Sequence, residues 1–160
     1  MIRPATPADY DRIHEIVTAA FGRDEEAQIV RKARAEGSAL YECVAEEDGR
    51  VQGHVMFTRM TVDRPLSAAA MGPVAVDPAV QNRGLGGQMI LHGIEVCRAM
   101  GEDAVIVLGH PTYYPRFGFS ADLAKIVASP FGGRPSFMAL ALSPGALEHP
   151  LKADYPPAFG

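Results

Sequence analysis

The stretch Gln81-Asn82-Arg83-Gly84-Leu85-Gly86-Gly87 lies between a predicted strand and a predicted amphipathic helix. Glycines at the start of a helix let successive backbone N–H groups point into one concavity, and the helix dipole adds partial positive charge there. Such a loop is suited to binding an anion, above all a phosphate. A simple tight turn uses the same glycines, so this stretch alone leaves both interpretations open.

Two well-known phosphate-binding motifs can be tested against this loop. A P-loop requires Lys and then Ser or Thr after its second glycine, whereas Gly87 and Gln88 follow Gly86. A dinucleotide fingerprint requires Gly or Ala at position 89, which is Met89, and it begins almost at the end of its strand. Here residues 77–83 intervene. The sequence therefore fits neither motif, which argues against a nucleotide-dependent oxidoreductase.

The segments on either side of the loop predict a βαβ unit. Ala69–Val76 and Ala104–Leu108 have the composition of strands, and Gly86–Met100 carries an apolar stripe typical of a helix. A right-handed crossover would make the two strands parallel. Gly72-Pro73 interrupts the first strand, and because proline has no N–H to donate, we expect a bulge or a splay point there.

The remaining elements predict one domain over residues 1–160. A helix capped by Thr6 ends at Gly22, and a second runs from Asp24 to Gly37. The Asp-Gly pair within Glu47–Arg50 indicates a hairpin. Further strands are expected at Met1–Arg3, Leu40–Glu46, Val51–Val62, Lys125–Ala128 and Phe137–Leu142, the last two joined by the loop Ser129–Pro135. Residues 150–160, rich in proline, are predicted to form an irregular tail.

Composition excludes several classes of protein. The 160 residues contain 15 Lys plus Arg against 19 Asp plus Glu, a net charge of -4, which disfavours nucleic-acid binding. No apolar run approaches the roughly 18 residues that crossing a bilayer requires, so no membrane partner is expected. The N-terminus has no apolar signal segment, which predicts a cytoplasmic protein. Cys43 and Cys97 lie in apolar segments and are expected to be buried free thiols.

Three motifs together resemble the GNAT superfamily of acetyl-CoA-dependent N-acetyltransferases. Gln81-x-x-Gly84-x-Gly86 matches the family's Gln/Arg-x-x-Gly-x-Gly/Ala signature. The segment Gly72–Pro78 resembles its bulged fourth strand, and Tyr113–Phe119 resembles its Tyr-x-x-x-Gly-Phe element. The resemblance implies a mixed α/β fold, with a mostly antiparallel sheet and a splayed parallel pair of strands around the helix of the glycine loop.

Finer features resemble the YhbS-like bacterial branch of this family. They are Leu108–Tyr114, the segment Phe137–Leu140 and the turn Pro144–Leu147. The resemblance covers nearly the whole chain. It implies acetyl-CoA as co-substrate and no metal, and the sequence has no HExxH motif. The co-substrate would be bound by Val74, Ala75, Val76, Gln81, Asn82, Arg83, Gly84, Leu85, Gly86, Gly87 and Tyr113.

The resemblance places the general acid at Tyr114, four residues before Gly118. A phenol with a pKa of about 10 stays protonated at neutral pH and can donate to a CoA thiolate whose thiol has a pKa near 8.5. Its neighbour Tyr113 is an alternative donor. Pro115 departs from the family pattern and is expected to shorten the helix found here in relatives.

The general base is left open by the sequence. Many proteins of this family carry a glutamate on the bulged strand, but Met71 and Gly72 stand there. Glu25, Glu26 and His110 are the candidates. The glutamates also fit as ordinary helix N-terminal carboxylates. His110 lies at the C-terminal end of a predicted strand, where it would act as base or as an orienting residue, or make a structural hydrogen bond.

The resemblance implies direct acetyl transfer to a primary amine of a small molecule or protein. The acceptor would enter between residues 24–26 and the loop Ser129–Pro135. A non-catalytic sensor that binds acyl-CoA is the main alternative, and the missing glutamate on the bulged strand favours it. Longer acyl chains would also fit, because apolar residues line the predicted gap between the two parallel strands. A homodimer is a further expectation, because dimers are common among relatives.

Overall fold

The computed structural model describes all residues, 1–160, as three helices packed on a mixed sheet. The helices are α1 (Tyr10–Phe21), α2 (Glu25–Glu36) and α3 (Leu85–Ala99). The strands are β1 (Ile2–Pro4), β2 (Ala39–Glu47), β3 (Arg50–Val62), β4 (Ala68–Val76), β5 (Ala104–Leu108), β6 (Val127–Ala128), β7 (Phe137–Ala141) and β8 (Leu151–Asp154). None of the helices combines the length and the apolar content needed to cross a bilayer.

The main sheet has the strand order β1-β2-β3-β4-β5-β7, and only the β4–β5 pair within it is parallel. Successive side chains of a strand point to opposite faces of the sheet. In β2, Cys43 and Ala45 pack with α3, whereas Val44 packs with α1 and α2. The C-terminal segment covers the rest of the α1–α2 face. The prediction of a mixed α/β fold, mostly antiparallel with one parallel pair, is confirmed.

Local signals account for most of the boundaries. Gly22 and Gly37 end α1 and α2 in the left-handed conformation, with φ of 70° and 80°. The β2–β3 hairpin turns through Asp48 and Gly49, which both have positive φ. Cys43 and Cys97 are buried free thiols, as expected.

The parallel pair separates at the point that the proline predicts. β4 and β5 are paired only from Ala68 with Ala104 to Met71 with Val107. Gly72-Pro73 follows at once, and the register with β3 shifts there, between Val55 and Phe57. Beyond this bulge β4 continues beside β3 alone, so a gap opens between β4 and the end of β5.

The C-terminal part corrects two predictions. The strand expected at Lys125–Ala128 is limited to β6, because Leu123–Ile126 forms a 3-10 helix. The segment 150–160 is not an irregular tail: β8 pairs with β6 and with the end of β3, burying Leu151 and Ala153. The apolar-polar alternation of β8 is only four residues long and is flanked by prolines, so its strand pattern is weak in the sequence.

Candidate active site

A cavity of about 440 Å³ lies at the gap between β4 and β5. Residues 71–76 form one wall, and Leu108, Gly109 and His110 form the opposite rim. Residues of α1, α2 and the C-terminal segment line the part on their face of the sheet, while Gln81 and Tyr114 line the rest. The cavity therefore connects the two faces of the sheet, as a site for two substrates would require.

The backbone of β4 beyond the bulge exposes hydrogen-bonding groups to this gap. The Asp77 N–H donates to the Gln52 carbonyl at 2.8 Å, so odd-numbered residues direct their backbone groups to β3. By alternation, Val74 and Val76 direct theirs toward β5. The Gln81 side chain donates to the Val76 carbonyl at 3.0 Å and so links the loop to the strand.

Ala75, between these two valines, has a different role. Its side chain is buried in the cluster formed with α1 and α2, and its backbone groups face β3 by the same alternation. Ala75, which is predicted to contact the co-substrate, nevertheless lines the cavity wall.

The glycine loop leaves a run of N–H groups unpaired at the start of α3. Asn82 and Gly84 have left-handed φ values of 65° and 85°, and α3 begins at the next residue. The first N–H of this region with an intramolecular acceptor is that of Gln88, which bonds the Gly84 carbonyl at 3.1 Å. The unpaired amides of residues 83–87 and the helix dipole therefore form a candidate anion site, and the exposed Arg83 side chain adjoins them.

The two neighbouring tyrosines face different parts of the site. Tyr114 lines the cavity, and burial together with the nearby Tyr113 hydroxyl raises its pKa to about 12. The Tyr113 hydroxyl instead lies at the start of α3, 3.6 Å from where a Cβ on Gly86 would be. The rings meet edge to face with centroids 5.1 Å apart. Residues 114–117 form a single 3-10 turn, in agreement with the shortening expected from Pro115.

The three candidate bases are placed differently. His110 lies exposed on the rim, and its carbonyl accepts the N–H groups of Tyr113 and Tyr114 at 3.1 and 3.4 Å. Glu26 lines the cavity, and its hydrogen bonds from Arg23 hold the pKa of its carboxyl below the usual value. Glu25 is outside the cavity, with its side chain 69% exposed.

An aromatic wall on the α1–α2 face is a feature that the sequence analysis missed. Tyr155 packs between Phe131 and Phe159, with ring centroids 5.4 and 5.1 Å away, and all three line the cavity. Of these, only Phe131 lies in a segment predicted to border the acceptor. The two aromatic residues within the proline-rich C-terminus were the available signal. No group of three or more His, Cys, Asp or Glu side chains is arranged to hold a metal ion.

Comparison with known sequences agrees with this geometry. The family model for the "Acetyltransferase (GNAT) domain" matches residues 1–121. The Escherichia coli K12 protein named "Uncharacterized N-acetyltransferase YjhQ" is 42% identical over 118 residues, which are 70% of this chain. The matched region spans 65% of YjhQ, slightly less than two thirds of that relative's length.

Two solved structures resemble the whole chain. The GNAT family N-acetyltransferase YhbS from Escherichia coli, in complex with CoA, superposes with a TM-score of 0.91 at 30% identity, covering 99% of this chain and 91% of that one. A GNAT family acetyltransferase from Brucella melitensis, in complex with acetyl-CoA, gives 0.85 at 32% identity, covering 100% and 97%. Together with the split strands and the glycine loop, these matches show that the chain belongs to the GNAT family of acetyltransferases.

Proposed function

We propose that this protein transfers an acetyl group from acetyl-CoA to a primary amine by direct attack in a ternary complex. The observation that carries the proposal is the gap between β4 and β5, which lies beside the unpaired amides at the start of α3. The YhbS and Brucella melitensis structures described above are complexes with CoA and with acetyl-CoA.

The glycine loop would bind the pyrophosphate of acetyl-CoA. Backbone N–H groups of residues 83–87 are the donors, with the Arg83 side chain available for a further phosphate contact. Gln81 holds the loop against β4 through the Val76 carbonyl. Tyr113 lies against the same helix end, where its ring would border the co-substrate.

The pantetheine arm would pair with the free edge of β4. Val74 offers its backbone groups and Val76 its N–H, since Gln81 bonds the Val76 carbonyl, so the amides of the arm would be bound as an added strand would be. This places the thioester near the bulge, where a β4 N–H is available to stabilise the oxyanion that forms on its carbonyl oxygen.

The chemical step then joins the amine nitrogen to the thioester carbonyl carbon and breaks the carbon–sulfur bond. Tyr114, which burial keeps protonated, donates its phenolic proton to the departing thiolate. The proton released from the nitrogen passes to solvent or to His110 on the rim. Products are the acetamide and CoA, and Tyr114 regains its proton from solvent.

A non-catalytic acyl-CoA sensor is the second candidate, because Met71 and Gly72 stand where a catalytic glutamate is common in this family. Incubation of the purified chain with acetyl-CoA and a panel of amines separates the two. Release of free thiol that depends on the amine, with the acetylated amine found by mass spectrometry, supports the transferase. Tight acetyl-CoA binding without turnover, unaffected by Tyr114→Phe, would favour the sensor.

A further inference from the structure

The part of the cavity on the α1–α2 face is apolar and largely aromatic. Phe21 and Ile29 contribute from the two helices, and the group Phe131, Tyr155 and Phe159 contributes from the C-terminal segment. The Tyr155 hydroxyl is buried and has no hydrogen-bond partner. This half of the cavity lies across the sheet from the glycine loop. A co-substrate bound by that loop would therefore not fill it, and the acceptor can bind there.

The lining of the cavity contains few ionised side chains, and their charge is negative. Glu26 is the single carboxylate among the lining residues, and no Lys or Arg is among them. Arg23, its partner, lies 2.7 Å from a Glu26 oxygen but does not line the cavity. Hydrogen bonds from Arg23 keep the pKa of Glu26 low, so the group is a carboxylate at neutral pH.

This distribution of charge discriminates between classes of amine. An ammonium group entering the cavity meets the Glu26 carboxylate, which attracts a cation, and the aromatic side chains that line the wall. A carboxylate or phosphate next to the amine would meet no Lys or Arg among the lining residues and would be desolvated against apolar side chains. Two arginines next to the lining residues are engaged elsewhere: Arg23 is paired with Glu26, and Arg134 is stacked on Phe131. Amino acids and amino sugar phosphates are therefore poor matches for this wall.

Building on the proposed function, we propose that the acceptor is an arylalkylamine-like compound, a primary amine on an aromatic or similarly broad apolar body without an adjacent anionic group. Glu26 is the residue that selects the cationic end, and the group Phe131, Tyr155 and Phe159 receives the apolar body. The acceptor binds as the ammonium ion and loses one proton to solvent water before the attack on the thioester; the second proton leaves the nitrogen during the transfer, as described above.

Matched probes that differ by one carboxylate test this directly. Phenethylamine is compared with phenylalanine and tryptamine with tryptophan, in acetyl transfer and in calorimetric binding to the CoA-loaded protein. We expect kcat/KM for each amine to exceed that of its amino acid by about 100-fold, the range expected for burying an unpaired charge. Equal use of amine and amino acid, or a preference for spermidine or a lysine peptide, would overturn the inference.

Glu25 provides a matched control for Glu26, since both lie in the first turn of α2 and both contact Arg23. Glu26→Gln is expected to raise the KM and Kd for phenethylamine about tenfold while acetyl-CoA affinity is retained. Glu25→Gln, outside the cavity, should leave both values unchanged. The same loss in both variants, or in neither, would count against selection by Glu26.

The binding measurement separates this inference from the proposed function. If phenethylamine binds the CoA-loaded protein in a manner that requires Glu26, but no acetyl product forms, the acceptor class stands and the transferase proposal fails. If acetyl transfer occurs only to other amines, the transferase stands and the acceptor class fails. If neither phenethylamine nor tryptamine binds, the acceptor class is overturned whatever the turnover.

Discussion

Gly109 lies so close to the ring of Tyr114 that a methyl group on the glycine would overlap ring atoms Cε2 and Cδ2. The backbone of Gly109 does not have a positive φ, so alanine there would meet no conformational strain of its own. The close approach positions the phenol at the end of β5. We therefore expect Gly109→Ala to displace Tyr114 and to lower kcat by about tenfold or more, as steady-state kinetics would show.

The control for this prediction is the Tyr114→Phe background. If Gly109 acts by positioning the hydroxyl, Gly109→Ala should cost much less activity once that hydroxyl has been removed. An equal loss in both backgrounds would contradict the proposed relationship.

Tyr114→Phe removes the proposed proton donor without changing the shape of the ring. Because a general acid contributes about 10²-fold or more, we expect kcat to fall by about that factor while acetyl-CoA still binds. Tyr113→Phe is the contrasting change, since that hydroxyl lies at the start of α3. It should alter the KM for acetyl-CoA and preserve kcat. The reverse pattern would assign the donor role to Tyr113.

Gly86→Asp tests the anion site at the glycine loop. A Cβ on Gly86 would contact Tyr113 and Val76 at ordinary distances of 3.6 and 3.7 Å, so a small side chain fits. The new carboxylate would face the pyrophosphate, and we expect acetyl-CoA affinity to drop by about 100-fold or more by calorimetry. Gly86→Asn has the same shape without the charge. Similar affinities for the two variants would argue that the phosphates bind elsewhere.

The buried environment of His54 predicts how the free energy of unfolding depends on pH. Its ring is fully buried, with Nε2 2.8 Å from a Glu42 oxygen and Nδ1 without a partner, and burial lowers its pKa below the ordinary 6.5. The unfolded chain therefore takes up a proton below pH 6.5 that the folded chain does not. We expect the free energy of unfolding to be unaffected by this group above pH 6.5, and to fall below it by up to about 1.4 kcal/mol per pH unit.

Urea unfolding of His54→Gln, measured at pH 7.5 and 5.5, checks this. Glutamine can retain the hydrogen bond to Glu42 but does not titrate, so the variant should lose less stability on acidification than the parent chain. The exposed His149 supplies the control, because His149→Gln should keep the parent's pH dependence. A His54→Gln variant with the parent's full acid sensitivity would place the cause in other groups.

The sequence predicted those parts of the site that depend on local chemistry. Proline at position 73 has no backbone N–H, so its strand lacks that hydrogen-bond donor whatever its position in the sheet. Gly84 adopts its positive φ within a short loop. The split of β4 from β5 and the start of α3 therefore followed from a few neighbouring residues. The separation of the hydroxyls of Tyr113 and Tyr114 did not, because it depends on how their turn packs against α3 and Gly109.

The aromatic wall on the α1–α2 face could not be predicted from local sequence in the same way. Tyr155 and Phe159 reach the cavity only because β8 pairs with the end of β3, a contact between residues some 90 positions apart in the chain. The pairs Thr61 with Asp154 and Val62 with Ala153 leave little trace in either segment alone. Long-range pairing of this kind is determined by the packed molecule rather than by local propensity.

The bulge at Gly72-Pro73 also means that hydrogen exchange at backbone amides inside this sheet depends on whether a ligand is bound. Val74 and Val76 have a neighbouring strand on one side only, so the fold itself does not protect their amide hydrogens from deuterium. A carrier molecule seated along β4 would supply that protection. The rate of amide hydrogen–deuterium exchange at these two valines would then report whether the site is occupied, even in a variant that has lost all turnover.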